Sequence, residues 1–173
     1  MHRSLNTALP ALVIALGVPA CAGSTSHPDS APGWASEENP VPGDFAIAVT
    51  ILPGSESDAG YKPMRYVVQP DSVLRVAVGA GVSLDVFPQR TRRLTRAQMS
   101  AIYSHAVREG LDRGIGGEPL TRGITPRPAS EETLIVVELT AHETRKATVY
   151  RADEGTGGAS QLVSQLGQLA RVR

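Results

Sequence analysis

The sequence predicts an α+β fold, a two-layer domain with a mainly antiparallel sheet of about six strands and two helices packed on one face. Several short segments alternate apolar and polar residues with a period of two, which is typical of half-buried strands. The first four of these segments are joined by short connections, which favour antiparallel pairing. Two further segments place apolar residues at helical spacing. The predicted order is ββββ–α–ββ–α.

The predicted strands begin at Asp44, where alternation sets in and continues to Leu52. Met64–Gln69 alternates again, and Pro70-Asp71-Ser72 supplies turn residues before Leu74–Val78. Val82–Val86 is the fourth predicted strand. The segments Leu134–Leu139 and Lys146–Arg151 are predicted to pair as a later hairpin.

The first helix has the clearest local pattern in the chain. Thr95 is a natural N-cap, and Gln98 three residues later completes a capping box. An apolar stripe follows, and Gly110-Leu111 predicts a Schellman-type end. A second helix is predicted over Leu162–Ala170. The segment Asp112–Glu132 between the first helix and the hairpin is rich in Gly and Pro and is predicted to be a long loop.

Composition excludes some classes of function. The chain has 17 Lys and Arg against 17 Asp and Glu, so it lacks the basic excess of a nucleic-acid-binding protein. Aromatic residues make up only 4%, which argues against stacking platforms for bases. The composition, 41% hydrophobic and 20% charged, suits a globular domain. We therefore expect no nucleic-acid partner.

The N-terminus has the layout of an export signal, with His2 and Arg3 before an uncharged apolar run from Ala8 to Val18. Val18-Pro19-Ala20-Cys21 then resembles the lipobox of bacterial lipoproteins. The resemblance implies that residues 1–20 are a signal peptide, that Cys21 is lipidated, and that the protein is exported and anchored to a bacterial membrane, inner or outer. An ordinary secretory signal cleaved after Ala20 or Ala22 is the alternative interpretation.

Residues 21–43 are predicted to be the lipidated cysteine and a tether, because residues 22–43 are rich in Gly, Ser, Pro and acidic residues without apolar periodicity. Residues 44–173 form the single predicted domain. Its pattern of a hairpin from Tyr66 through Pro70-Asp71, followed by the capped helix, resembles uncharacterised domains of small bacterial lipoproteins. That resemblance implies no particular activity.

Few residues in the sequence indicate a catalytic, cofactor or metal site. The sequence has no H-E-x-x-H, C-x-x-C, G-x-S-x-G or P-loop motif, and we predict no catalytic residue, cofactor or metal. His105 is expected to face solvent, and His142 lies in a predicted turn. Gly114–Gly117 is either a backbone nest for an anion or a flexible loop. Arg90, Arg92, Arg93 and Arg96 either contact an acidic partner or anionic headgroups, or form a solvated edge.

The sequence therefore favours a non-enzymatic envelope protein that binds another protein. If Ile47, Tyr66, Val76 and Leu84 point into the core, the other face of the sheet is open and partly apolar, as at a docking surface, unless loops such as Asp112–Glu132 cover it. The predicted interaction surface on that face is Val67, Arg75, Phe87 and Tyr150. The alternative is an extracytoplasmic hydrolase whose site is built from loops without a recognisable motif.

Overall fold

A computed structural model describes residues 40–57, 60–152 and 157–171 of the chain. The predictions for the signal peptide, for Cys21 and for most of the tether fall outside these residues. The strands are β1 (Ala46–Pro53), β2 (Met64–Val68), β3 (Val73–Val78), β4 (Arg90–Arg93), β5 (Glu118–Pro119), β6 (Thr133–Ala141) and β7 (Thr144–Arg151). The helices are α1 (Arg96–Arg108), between β4 and β5, and α2 (Gly158–Ala170), after β7.

The seven strands form one sheet in the order β4-β3-β2-β1-β6-β7-β5, and every neighbouring pair is antiparallel. The predicted α+β class and antiparallel sheet are confirmed, with one strand more than expected. The central strand β1 pairs with β2 and β6, so the two halves of the chain meet at the middle of the sheet.

Both helices pack on the same side of the sheet, which we call the helix face. Its strand residues include Ile47, Val49, Tyr66, Ile135 and Val137, all buried in one cluster with the helices. From α1 the cluster contains Met99, Ile102, Tyr103 and Ala106, and from α2 it contains Leu162, Val163 and Leu166. Because side chains alternate along a strand, the residues between these strand positions form the opposite side, the second face.

The predicted boundaries of α1 are confirmed. The Thr95 hydroxyl accepts from the Gln98 backbone N–H, and the Gln98 side chain accepts from the Thr95 N–H. At the other end Gly110 has a φ of 69°, and the Leu111 N–H donates to the Ala106 carbonyl. This is the Schellman-type end that the sequence predicts.

The predicted strand Val82–Val86 is wrong. Residues 79–89 form no strand but a loop with consecutive turns, in which Val82 N–H donates to Gly79 O and Val86 N–H to Ser83 O. The fourth strand is instead β4, the arginine-rich segment Arg90–Arg93 at the edge of the sheet. Because β4 is an edge strand with exposed or half-exposed side chains, it lacks the apolar alternation by which strands are recognised.

Candidate functional site

Three of the four predicted interaction residues lie together on the second face. Val67 of β2 and Arg75 of β3 are cross-strand partners, and the Phe87 ring stacks on the Arg75 guanidinium with 4.6 Å between Cζ and the ring centroid. Arg75 is held in place because its Nε donates to Gln69 Oε1 at 2.8 Å. Phe87 remains 64% exposed. We call Val67, Arg75 and Phe87 the Phe87 patch.

The prediction that Tyr150 belongs to this surface is wrong. Tyr150 pairs with Ile135 across β6 and β7, so it points to the helix face and is buried in the main core. Burial raises the pKa of its hydroxyl above the usual value. The period-two pattern of a single strand does not reveal which of its two sides meets the helices, and that ambiguity accounts for the error.

The second face is also not open at its centre, contrary to expectation. Thr50 of β1 and Val136 of β6 are partners in the register, and both side chains are completely buried although neither belongs to the main core cluster. The loop 79–89 and the segment 120–125 lie over this face and leave a groove between them. Loops thus cover part of the predicted docking face.

This groove, which we call the central groove, has a volume of about 740 Å³. Leu84 and Asp85 line one side, and Leu120 to Thr125 line the other. The floor contains Arg65 of β2, Glu138 of β6 and, from β7, Arg145 and Ala147. A neighbouring groove of about 480 Å³ shares Leu120, Thr121 and Ile124 with it and extends towards Arg151.

A carboxylate shared by two arginines forms the floor. Arg65 Nη2 donates to Glu138 Oε2 at 2.9 Å, and Arg145 Nη2 donates to Glu138 Oε1 at 2.7 Å. Arg65 also donates through Nη1 to the Thr50 hydroxyl. The Arg65 and Glu138 side chains are only 9% and 13% exposed, so both charges are largely removed from water and depend on each other.

The sequence reasoning missed Arg65, Glu138 and Arg145 as site residues. The available signal was a charged residue inside each of two apolar strand segments, Arg65 in β2 and Glu138 in β6. Charged residues are rarely buried unless they are paired, so two opposite charges in apolar strands of one sheet predict a contact. Their pairing depends on the non-local order β2-β1-β6, which the pattern of single strands does not give.

The four arginines at and just before the start of α1, Arg90, Arg92, Arg93 and Arg96, do not share one role. Arg92 points to the helix side and donates to the Leu169 carbonyl at the end of α2, which satisfies a free carbonyl and places a positive charge at the negative end of the helix dipole. Arg90 and Arg93 are cross-strand partners of Arg75 and Val73, on the second face. Within the described residues, the exposed side chains of Arg90, Arg93 and Arg96 make no ion pair or hydrogen bond.

The prediction that His105 faces solvent is wrong, because its side chain is buried between the two helices. Its Nε2 lies 3.0 Å from the Gly158 carbonyl, and its Nδ1 lies 3.1 Å from Arg108 Nη2. A carbonyl accepts and a guanidinium donates, so Nε2 carries the proton in this arrangement. The start of α2 contacts α1 on a side that the apolar stripe does not include, and His105 links the two helices there.

His142 lies in the β6–β7 turn as predicted, and its Nε2 is 3.2 Å from the Tyr103 hydroxyl. His142 and Glu143 both have positive φ angles, and their backbone N–H groups donate to the two carboxylate oxygens of Asp44. The hydrogen bond from Glu143 is the main cause of a lowered Asp44 pKa. Asp44 thus fixes the start of β1 to this turn.

The glycine-rich segment after α1 has a packing role. A side chain at Gly117 would collide with Tyr150, Thr148 and the Val149 carbonyl, and one at Gly114 would come within 2.9 Å of the Thr148 hydroxyl. Gly114 also has a φ of 75°, in the left-handed region. These glycines allow the chain to pass close to β7 before it forms β5, which gives them a structural function.

Among the described residues, no helix has the length and apolar character needed to cross a membrane, and no three His, Cys, Asp or Glu side chains converge as metal ligands would. The features that lie together on the second face are the Phe87 patch, Arg90 and Arg93 of β4, and the central groove. A scan against models of known protein families finds no match to this chain, and no curated protein matches its sequence.

Proposed function

We propose that this chain is a lipid-anchored extracytoplasmic protein whose domain is a protein-interaction module. The anchor is a lipid on Cys21, as the lipobox-like Val18-Pro19-Ala20-Cys21 implies. The observation that supports the interaction module most directly is the Phe87 patch. An exposed aromatic ring fixed on an arginine offers contact area at little entropic cost, since its orientation is already set.

Charge indicates the chemistry of the partner. Arg75, Arg90 and Arg93 lie on two paired strands of the second face, and the last two have no acidic partner among the described residues. The chain as a whole is neutral, so this is a local positive region. We propose that an acidic segment of another envelope protein binds here, with an apolar side chain against Phe87 and carboxylates against the arginines.

The anchor and the docking surface are tested separately. Mass spectrometry of the exported protein is expected to show an acylated Cys21, and an unmodified cysteine would contradict the anchor. For the surface, a photo-crosslinking residue at position 87 captures the partner from intact cells. The affinity of the identified partner is then measured with purified proteins.

Phe87→Ala is expected to weaken that affinity about ten-fold or more, as truncation of a central aromatic contact does. Binding by the unsubstituted protein should also weaken as salt concentration rises, because Arg90 and Arg93 contribute through charge. Val78→Ala is the matched control, since Val78 is another exposed apolar residue but lies outside the patch. Equal affinities for the two variants, or capture of anionic lipid instead of protein, would contradict the proposal.

A further inference from the structure

A separate groove lies on the helix face, away from the Phe87 patch and the central groove. It is formed between α2 and the start of β2 and has a volume of about 420 Å³, and we call it the α2 groove. Its walls include the apolar side chains of Ile51, Met64 and Val163. Grooves of this size, with apolar walls and a few polar groups, are typical of sites for small molecules.

One of these polar groups is the hydroxyl of Tyr66. Tyr66 lines the groove and is only 4% exposed, yet its hydroxyl forms no hydrogen bond with any described residue. Burial raises the pKa of this hydroxyl above its usual value of 10.0, so it keeps its proton at neutral pH and can donate. Because buried polar groups normally have a partner, the hydroxyl suits an acceptor supplied by a ligand.

Gly167 keeps space open beside this hydroxyl. It lies in the second half of α2, where glycine is less favourable than alanine. A Cβ at this position would lie 3.3 Å from the Tyr66 hydroxyl oxygen and would occupy part of the groove. The missing side chain therefore leaves the hydroxyl open to the groove.

The side chains at the mouth of the groove are positively charged. Lys62 and Arg171 line it, both are exposed, and neither forms an ion pair with a described residue. The Arg171 charge partly offsets the rise in the Tyr66 pKa, which places it near the hydroxyl. No described residue of the lining carries a carboxylate. The negative end of the α2 dipole is equivalent to only about half a charge, so the two cations outweigh it.

We propose that the α2 groove binds a small carboxylic acid with an apolar body. One carboxylate oxygen accepts from the Tyr66 hydroxyl, the carboxylate pairs with Arg171, and Lys62 adds positive charge at the mouth. The apolar body packs against the walls of the groove. The site requires neither a lipid on Cys21 nor a partner at Phe87, so it goes beyond the proposed function and fails independently of it.

Octanoate is the probe for this site, and 1-octanol is a neutral probe of the same chain length. Isothermal titration calorimetry measures the binding of each to the full chain in detergent, after subtraction of the heat from micelles without protein. Octanoate is expected to bind, and octanol is expected to bind about ten-fold more weakly or less, because it lacks the charge that pairs with Arg171. Arg171→Gln should reduce the affinity for octanoate towards that for octanol.

Tyr66→Phe removes only the hydroxyl and should weaken octanoate binding about ten-fold while the protein remains folded. Tyr150→Phe is the matched control, since Tyr150 is also a buried tyrosine whose hydroxyl has no partner among the described residues, but it lies outside the groove. Its affinity for octanoate should be unchanged. Gly167→Ala fills the space beside the hydroxyl and should also weaken binding, although alanine favours the helix.

The proposal is overturned if octanoate does not bind, or if octanol binds as tightly as octanoate. It is also overturned if Tyr66→Phe and Tyr150→Phe have the same affinity for octanoate, because the hydroxyl in the groove would then make no contact with the carboxylate. Circular dichroism of each variant verifies that a loss of binding does not result from unfolding.

Discussion

The two faces of the sheet are both buried at their centres, but by different structures. On the helix face, apolar side chains of α1 and α2 pack against apolar side chains of the strands. On the second face, loops cover Thr50 and Val136 beside a charged pair, Arg65 and Glu138, and leave two grooves. The helix layer provides a fixed scaffold, whereas the second face carries the charged pair of its strands and, on a loop, the exposed Phe87. Binding sites are typically found on loops held by such a scaffold.

Neighbouring residues of β6 give the sharpest test of this comparison. Val137 points to the helix face and Val136 to the second face, and they are 2% and 0% exposed. Val137→Ala and Val136→Ala should each lower the free energy of unfolding by about 2–3 kcal/mol, because each removes buried methyl groups and leaves a cavity. Denaturant titration measures both. A negligible loss for Val136→Ala would mean that the loops do not pack on the second face.

The ion pair under the central groove distinguishes the faces in a second way. Glu138→Ala leaves Arg65 with a largely buried charge and without its carboxylate, and should cost about 1–3 kcal/mol. Arg145→Ala removes the exposed partner of the same glutamate and should cost less than about 1 kcal/mol. Denaturant titration of both variants would show this order. A larger loss for Arg145→Ala than for Glu138→Ala would mean that the exposed arginine contributes more to stability than the buried carboxylate.

The parts of the fold that the sequence predicts are those set by local chemistry. The capping box at Thr95 and the Gly110 end of α1 depend on residues within a few positions of each other, and both are confirmed. The missed features depend on distant residues. β4 is recognisable only through its pairing with β3, and the Arg65–Glu138 pair forms only because β1 lies between β2 and β6.

The candidate site shows the same division. Val67, Arg75 and Phe87 come from consecutive strands and the next loop, and they lie together in the structure. Tyr150 comes from the other end of the chain, and its side of the sheet is decided by how β7 pairs with β6. A shift of one residue reverses every side chain of a strand, so alternation alone leaves its face undetermined.

Substitution of His105 tests whether polar contacts, in addition to apolar packing, stabilise the helix layer. Because its ring is buried and contacts Gly158 and Arg108, His105→Ala should cost about 1–2 kcal/mol. This is comparable with the loss of about 1 kcal/mol expected for the cap variant Thr95→Ala. Thermal or denaturant unfolding compares them with Arg96→Ala, an exposed control on the same helix. A His105→Ala variant as stable as Arg96→Ala would show that the link between the helices contributes nothing.

The smallest expected effect depends on pH and concerns Asp44, which joins the start of β1 to the β6–β7 turn. Hydrogen bonds from Glu143 and His142 lower the Asp44 pKa below its usual value of 3.8. A lowered pKa in the folded state contributes stability that is present above the unfolded pKa and disappears as pH falls through the folded pKa. Asp44→Asn should therefore destabilise the protein slightly at neutral pH.

The difference between Asp44→Asn and the unsubstituted protein should narrow as pH falls below about 4, because protonated Asp44 also loses its charge. Urea unfolding of both proteins across acidic pH measures it. Glu143→Gln is the control, since the Glu143 backbone N–H that donates to Asp44 is retained while the exposed carboxylate beside it is removed. A difference that stays constant with pH would mean that the introduced amide disturbs the turn by its shape, and that the carboxylate charge of Asp44 does not stabilise the entry of the chain.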